Sequence, residues 1–258
     1  MMARQINHSK IGTNKSALWV FDSAEAGTGS DVEAAIEQAR SDGILIEREF
    51  RQQRLIPAFM EPRSVVVDPT GEQMTMWSAT QIPHILRFAL AATTGVPESK
   101  IRVIAPDVGG GFGGKNRLMP EEVAVAALAI KLGHPLRWIE DRREHLMCSV
   151  HCRDHYYDLT ISAERDGTLL GVEGEVYIDA GAYSLWPTGS FMEASMASRN
   201  LTGPYRIRHL NLKTYTVATN KAPMGPYRGV ARPGACFAIE RLVDEVAREL
   251  KQIGRAHV

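Results

Sequence analysis

The chain has 258 residues, enough for one large domain or two modest ones with a real core. Its 30 basic and 30 acidic side chains cancel and its aromatic residues sit singly, so neither a nucleic-acid surface nor an acidic tail is expected. There is no membrane-length apolar run and no secretory h-region, and the three cysteines (Cys148, Cys152 and Cys236) suit a reducing compartment, so the expected location is cytoplasmic.

In chain order, Leu18 to Phe21 is a short strand candidate, and Asp31 can cap a helix whose apolar side includes Val32, Ala35, Ile36 and Ala39. Residues 44–54 read as extended. Two strands, 64–67 and 74–77, flank the turn Asp68-Pro69-Thr70-Gly71. Thr80 is the expected cap of a helix with Pro83 in its first turn, an apolar face of Ile82, Ile85, Leu86, Ala89 and Leu90, and a stop at Gly95. Ile101 to Ala105 is strand-like. A second helix opens at Pro120-Glu121-Glu122, with Val123, Ala126, Ala127 and Ile130 as its expected buried stripe, and a strand follows at 136–139. Residues 156–161 and 169–178 form a hairpin about Arg165-Asp166-Gly167-Thr168. Residues 181–204, rich in Gly, Ser, Pro and Met, are expected to be irregular; 210–217 is a strand, and 233–252 a helix facing inward through Ile239, Leu242, Val243, Val246 and Leu250. The class is α+β, with mixed sheets and packed helices. Ile253 to Val258 matches what one frame of a common sequencing adapter encodes, so 253–258 is set aside as a non-native tail.

Five glycines, Gly109, Gly110, Gly111, Gly113 and Gly114, fall within six positions around Phe112. Such a run suggests backbone N–H groups presented to an anionic ligand: a nucleotide phosphate, a dinucleotide pyrophosphate or a pterin-type metal cofactor. The near-match to a Walker A loop ends in Lys115-Asn116, which lacks the hydroxyl that holds Mg²⁺. Gly109, Gly111 and Gly114 also satisfy G-x-G-x-x-G, so a Rossmann-like dinucleotide unit over residues 101–141 is the rival reading. His145, Cys148, His151, Cys152 and His155 fit no standard zinc spacing and read as ordinary histidines and cysteines; no metal ligands are assigned. In Met224 to Pro233, Arg228 lies in a loop before a helix and offers bidentate donors to a substrate or cofactor oxygen, against the plainer reading of a solvated helix-entry turn.

Together, Gln53 to Pro57 with Met60-Glu61-Pro62-Arg63, Ser78 to Gln81, Val108 to Lys115, Glu140 to His145 and Pro226 to Arg232 resemble the molybdopterin-binding large subunits of the xanthine dehydrogenase, aldehyde oxidase and carbon monoxide dehydrogenase family. Within that family the chain looks closer to the form II members than to the copper-dependent carbon monoxide oxidisers. The resemblance implies that residues 1–44 are a remnant of an N-terminal α/β-hammerhead domain and linker, and that 45–252 are a truncated first molybdenum-cofactor-binding domain. It implies that Gln81 donates its side-chain amide to an oxygen ligand of molybdenum and that Gly111, Phe112 and Gly113 lie against the cofactor. Arg228 is implied to be catalytic, facing the substrate. The implied cofactor is molybdenum–molybdopterin in its cytosine dinucleotide form. An iron–sulfur small subunit with 2Fe-2S clusters and an FAD-binding medium subunit are the implied partners, in a dimer of heterotrimers. The implied reaction oxidises a small-molecule substrate, an aldehyde or N-heterocycle, with oxygen from water. The general base of that family lies beyond residue 258, so the chain alone is expected to be inactive. Gly229 stands where copper-dependent carbon monoxide oxidisers carry cysteine, and Asn116 where purine oxidisers carry glutamate; both departures argue against those substrates. A carbon monoxide dehydrogenase-like large chain and a domain that keeps the fold without the cofactor are the remaining alternatives.

Overall fold

Two mixed sheets share out the apolar residues of the chain in the computed structural model, which describes residues 13–23 and 32–253. The elements are β1 (Lys15–Asp22), α1 (Val32–Asp42), β2 (Ile44–Leu55), β3 (Ser64–Asp68), β4 (Met74–Ser78), α2 (Pro83–Thr94), β5 (Ile101–Ile104), α3 (Pro120–Leu132), β6 (Leu136–Ile139), α4 (Arg142–Cys148), β7 (Cys152–Ala163), β8 (Leu169–Gly181), α5 (Ser190–Arg199), β9 (His209–Ala218) and α6 (Arg232–Glu249). The expected cap at Asp31 and residues 254–258 lie outside the described residues.

The larger sheet runs β1-β9-β8-β7-β2, antiparallel except for the parallel pair β8–β9. Helices α5 and α6 pack on it, and Ile161, Val176, Leu212, Ile239 and Leu242 share its core. β1 and α1, on the N-terminal side of residue 45, belong to this layer: β1 pairs with β9 from Lys15↔Val217 to Asp22↔Asn211. The smaller sheet runs β5-β4-β3-β6, with β4–β5 parallel. Alternation along β3 turns Val65 and Val67 inward and Val66 outward, as the two-residue strand period requires. The inward pair meets Met76, Leu86, Leu90, Ala126 and Ala129 from β4, α2 and α3.

Helix α2 begins with Pro83 and ends on Gly95, whose φ of 76° is the left-handed cap conformation glycine adopts without strain. Thr80 is not its N-cap. Ile82 holds that position, and the Thr80 hydroxyl accepts from Ile82 N–H at 3.2 Å, closing the turn that leads into the helix. The buried stripe of α3 is Glu122, Val125, Ala126 and Ala129, so Ala127 and Ile130 face out. The sequence Val-Ala-Val-Ala-Ala-Leu-Ala-Ile is apolar all round, and its period cannot choose a face. Residues 190–199, expected to be irregular, are helical. The inward side of α5 is Ser190, Glu193, Ala194, Ser195, Ala197 and Ser198, which leaves no large apolar period to read. Helix α4 rests on a capping box, with Glu144 N–H donating to Asp141 Oδ1 at 2.7 Å and Asp141 N–H to Glu144 Oε2 at 3.0 Å.

The Rossmann-like rival fails on topology. β5 and β6 lie on opposite edges of their sheet, and the helix starts at Pro120 rather than at the glycines. Among the described residues no helix is long and apolar enough to cross a membrane.

The α3 facing gives a direct test. Ala129→Lys places an unpaired charge in a fully buried position and should cost about 3–5 kcal/mol, whereas Ile130→Lys should stay within about 0.5 kcal/mol. Urea unfolding of the two variants measures the difference, and equal midpoints would reverse the assignment.

Candidate functional site

The glycine run lies in the loop between β5 and α3, and its shape explains its composition. Gly114 N–H donates to Gly111 O at 2.7 Å and Asn116 N–H to Gly113 O at 3.0 Å, so the loop turns back on itself twice. Gly113 has φ 102°, and a Cβ there would sit 2.6 Å from Pro226 O. A Cβ on Gly111 would sit 2.5 Å from Gln81 Oε1. Backbone fixes glycine at 113, whereas at 111 a side chain would have to displace the end of Gln81.

Gln81 leaves the turn ahead of α2 and its carbonyl end is pinned into this loop. Oε1 accepts from Gly113 N–H at 2.9 Å and Lys115 N–H at 3.3 Å, while Gln81 N–H donates to Lys115 O at 3.1 Å. Because the oxygen is taken up by two donors, the network orients the amide so that its NH₂ end faces solvent. On the far side, Glu61 Oε2 accepts from Gly109 N–H and Lys115 Nζ, both at 2.7 Å. Lys115, the residue a phosphate loop would need free, is 2% exposed and committed to that pair, above the Phe59 ring. Glu61 is subject to upward pressure from burial. The Lys115 and Gly109 hydrogen bonds and the Lys115 charge outweigh it and hold the carboxyl below the usual range.

The second loop, ahead of α6, meets the first at its centre. Arg228 N–H donates to Phe112 O at 2.8 Å, and the Arg228 guanidinium carbon lies 5.9 Å from the Phe112 ring centroid. Phe112 has φ 52° and is 47% exposed, a large apolar ring held outward by a backbone conformation non-glycine residues rarely take. Gln81, Gly111, Phe112, Gly113 and Arg228 are thus brought together at one surface.

Beneath them lies a buried charge cluster that sequence reasoning did not assign. Arg63 donates to Glu140 at 2.5 Å and Glu121 at 3.0 Å, and His145 bridges Glu140 and Pro57 O. Burial acts to raise the Glu140 carboxyl, yet the Arg63 hydrogen bonds and charge bring it below its ordinary value. Burial pushes Glu122 up and takes Arg117 down to about 9. His151 contacts Arg54, and His155 contacts Tyr157 and Glu193, so the histidines of 145–155 each belong to separate local networks. Glu61 and Lys115 also went unassigned; the one signal for them was their place in the Met60 to Arg63 and Val108 to Lys115 stretches.

Several donors of this site have no protein acceptor. Among the described residues the N–H groups of Gly111 and Phe112 and the Gln81 NH₂ make no hydrogen bond to protein. Also among the described residues, no three His, Cys, Asp or Glu side chains gather to hold a metal ion. N–H donors of this kind suit an oxygen-rich anionic group.

Comparison with known proteins gives a family model described as a molybdopterin cofactor-binding domain, matching residues 14–253. The nicotine 6-hydroxylase large subunit of Paenarthrobacter nicotinovorans is 33% identical over 224 residues, 86% of this chain and 27% of that protein. The carbon monoxide dehydrogenase large chain of Hydrogenophaga pseudoflava is 36% identical over 191 residues, 71% of this chain and 23% of its own length. Among solved structures, quinoline 2-oxidoreductase from Pseudomonas putida 86 superposes with a TM-score of 0.86 at 31% identity, covering 96% of this chain and 30% of that one. The chain spans 27%, 23% and 30% of the length of these three proteins.

Two substitutions probe the loop. Gly111→Ala should force Gln81 aside and expose the Gly113 and Lys115 amides to faster hydrogen exchange, with α2 unchanged. Glu61 has a folded pKa below its unfolded value. Its stabilisation is therefore present at neutral pH and is lost as pH falls through the carboxylate range to that lowered value. Glu61→Gln should accordingly show a shallower loss of stability between pH 6 and pH 3, at about the ordinary range of carboxylate titration, read from urea midpoints.

Proposed function

The chain belongs to the molybdopterin cofactor-binding domain family, and from that premise we propose that it forms the part of a molybdenum hydroxylase large subunit where cofactor and substrate meet. The observation that carries this reading is the meeting of the Gln81 side chain, the glycine loop around Phe112, where the Gly111 and Phe112 N–H groups have no protein acceptor among the described residues, and Arg228. When bound, a molybdenum–molybdopterin group would supply a two-electron oxidation with water as the source of oxygen. In this reading the Gln81 NH₂ and the glycine-loop N–H groups hold the cofactor's oxygen atoms without offering a competing metal ligand. Phe112 presents a flat apolar surface and orients a planar substrate. Arg228 donates to an electron-rich substrate atom such as a ring nitrogen or carbonyl oxygen.

The substrate class we favour is an aromatic N-heterocycle over an aldehyde, since nicotine 6-hydroxylase and quinoline 2-oxidoreductase are named for such compounds. A copper-dependent carbon monoxide reaction is disfavoured. Gly229 has no sulfur and sits at φ 90°, where a cysteine would be strained. The finer reading is a cytosine dinucleotide cofactor, and an iron–sulfur small subunit and an FAD-binding medium subunit as electron acceptors, in the cytoplasm. Residues 45–252 would contribute the cofactor-facing surface.

The test is a chimera in which residues 14–253 replace the matching segment of the nicotine 6-hydroxylase large subunit, co-expressed with that enzyme's other subunits. We expect the assembled protein to retain molybdenum by metal analysis. In it, Arg228→Ala should weaken kcat/KM by about 10- to 150-fold, the equivalent of one charged hydrogen bond of ~1.5–3 kcal/mol. An assembled chimera without molybdenum, or one indifferent to Gln81→Ala, would overturn the reading.

A further inference from the structure

Arg228 reaches the site from a loop with little backbone support of its own. Its turns, Val230 N–H to Tyr227 O at 2.7 Å and Arg232 N–H to Gly229 O at 3.1 Å, pass through two left-handed residues, Gly229 at φ 90° and Val230 at φ 56°. The support comes from β7. Arg153, 3% exposed, sends its guanidinium under the loop: Nη2 donates to Arg228 O at 3.0 Å, and Nη1 to Tyr227 O at 3.3 Å and to Val230 O. The same guanidinium lies 5.6 Å from the Tyr227 ring centroid and is neutralised by Glu193 of α5, which is 2% exposed, at 3.4 Å. Glu193 in turn lies 3.2 Å from His155 Nε2, and His155 Nδ1 meets the Tyr157 hydroxyl at 3.0 Å.

We propose that Arg153 is a positioning residue: its buried guanidinium holds the carbonyl groups of residues 227, 228 and 230 and so sets the direction in which Arg228 leaves the loop. The importance of this for turnover rests on the function proposed above; the anchoring itself does not. Charge balance for Glu193 is the competing role, and a lysine would fill it. Lysine carries a point charge and cannot reproduce the planar fork that spans separate carbonyls. Adjacent residues support the design. Asp154 also has positive φ, 71° beside 65° for Arg153, and is held by Lys221 at 2.6 Å and by Arg54 and Arg51 at 3.6 Å. This ion cluster fixes the point on β7 from which Arg153 projects.

The experiment is hydrogen exchange of the whole chain, read by mass spectrometry over 226–231, 109–116 and α2. Arg153→Lys should raise exchange in 226–231 by about tenfold or more, the loss of roughly one charge-assisted hydrogen bond, and raise it less in 109–116 through the Arg228–Phe112 bond. Exchange in α2 should not change. Arg153→Ala should show the same loosening, reversed by millimolar guanidinium and not by methylammonium, a rescue that a packing role would not give. If Arg153→Ala does not fold, Arg153→Lys decides alone. Protection in 226–231 equal to wild type, or exchange rising equally in α2, would overturn the proposal. The readout needs no cofactor, so failure here is separate from failure of the chimera.

Discussion

One hydrogen bond decides which way round the site is built: Gly113 N–H to Gln81 Oε1 at 2.9 Å. An amide has one acceptor end and one donor end. With Lys115 N–H also on the oxygen, the acceptor end is used up inside the loop and the donor end is what remains. The glycines follow from the same constraint. Gly111 lies so close to that oxygen that any side chain would displace it, and Gly113 must turn through positive φ beneath Pro226 to deliver its N–H. A single side chain thus sets the polarity of the surface and ties it to the glycines at 111 and 113.

The ionic groups below the loop serve a different purpose from stabilisation by charge alone. Desolvation opposes the charges of Glu61, Arg63 and Glu140, and a buried pair rarely repays that penalty outright. What the Glu61–Lys115 and Arg63–Glu140–Glu121 contacts add is directional: each carboxylate also takes a backbone N–H or bridges two elements, joining residues 61, 63, 109, 115, 121 and 140. A loop with this much glycine loses considerable entropy on ordering, and fixed points at both its ends limit the conformations it must be held against.

Much of the fold was legible because its elements bury large side chains at a regular period. The helices at 83–94 and 232–249 were read with their inward faces nearly right, since Leu86, Leu90, Leu242 and Val246 mark them. The period failed where it was saturated, in α3, and where the buried face is built of serine and alanine, in α5. The site divides along a similar line. The glycines announce a special backbone, but nothing in the pattern around Gln81 distinguishes it from a surface glutamine; only family resemblance selected it. Arg153 is hidden more deeply still. It looks like any strand arginine in Cys-Arg-Asp-His, and its role depends on carbonyl groups some 75 positions away.

The seam between β1 and β9 has a consequence for how the molecule is made. Lys15 pairs with Val217 and Asp22 with Asn211, so the first strand finds its neighbour only after nearly two hundred further residues exist. At translation rates of ~5–20 residues per second, that is a wait of about 10–40 s. For that interval Trp19 and Phe21, which later pack against the core, have no sheet to join. Closure of this sheet is thus a late, non-local event of the kind that slows folding.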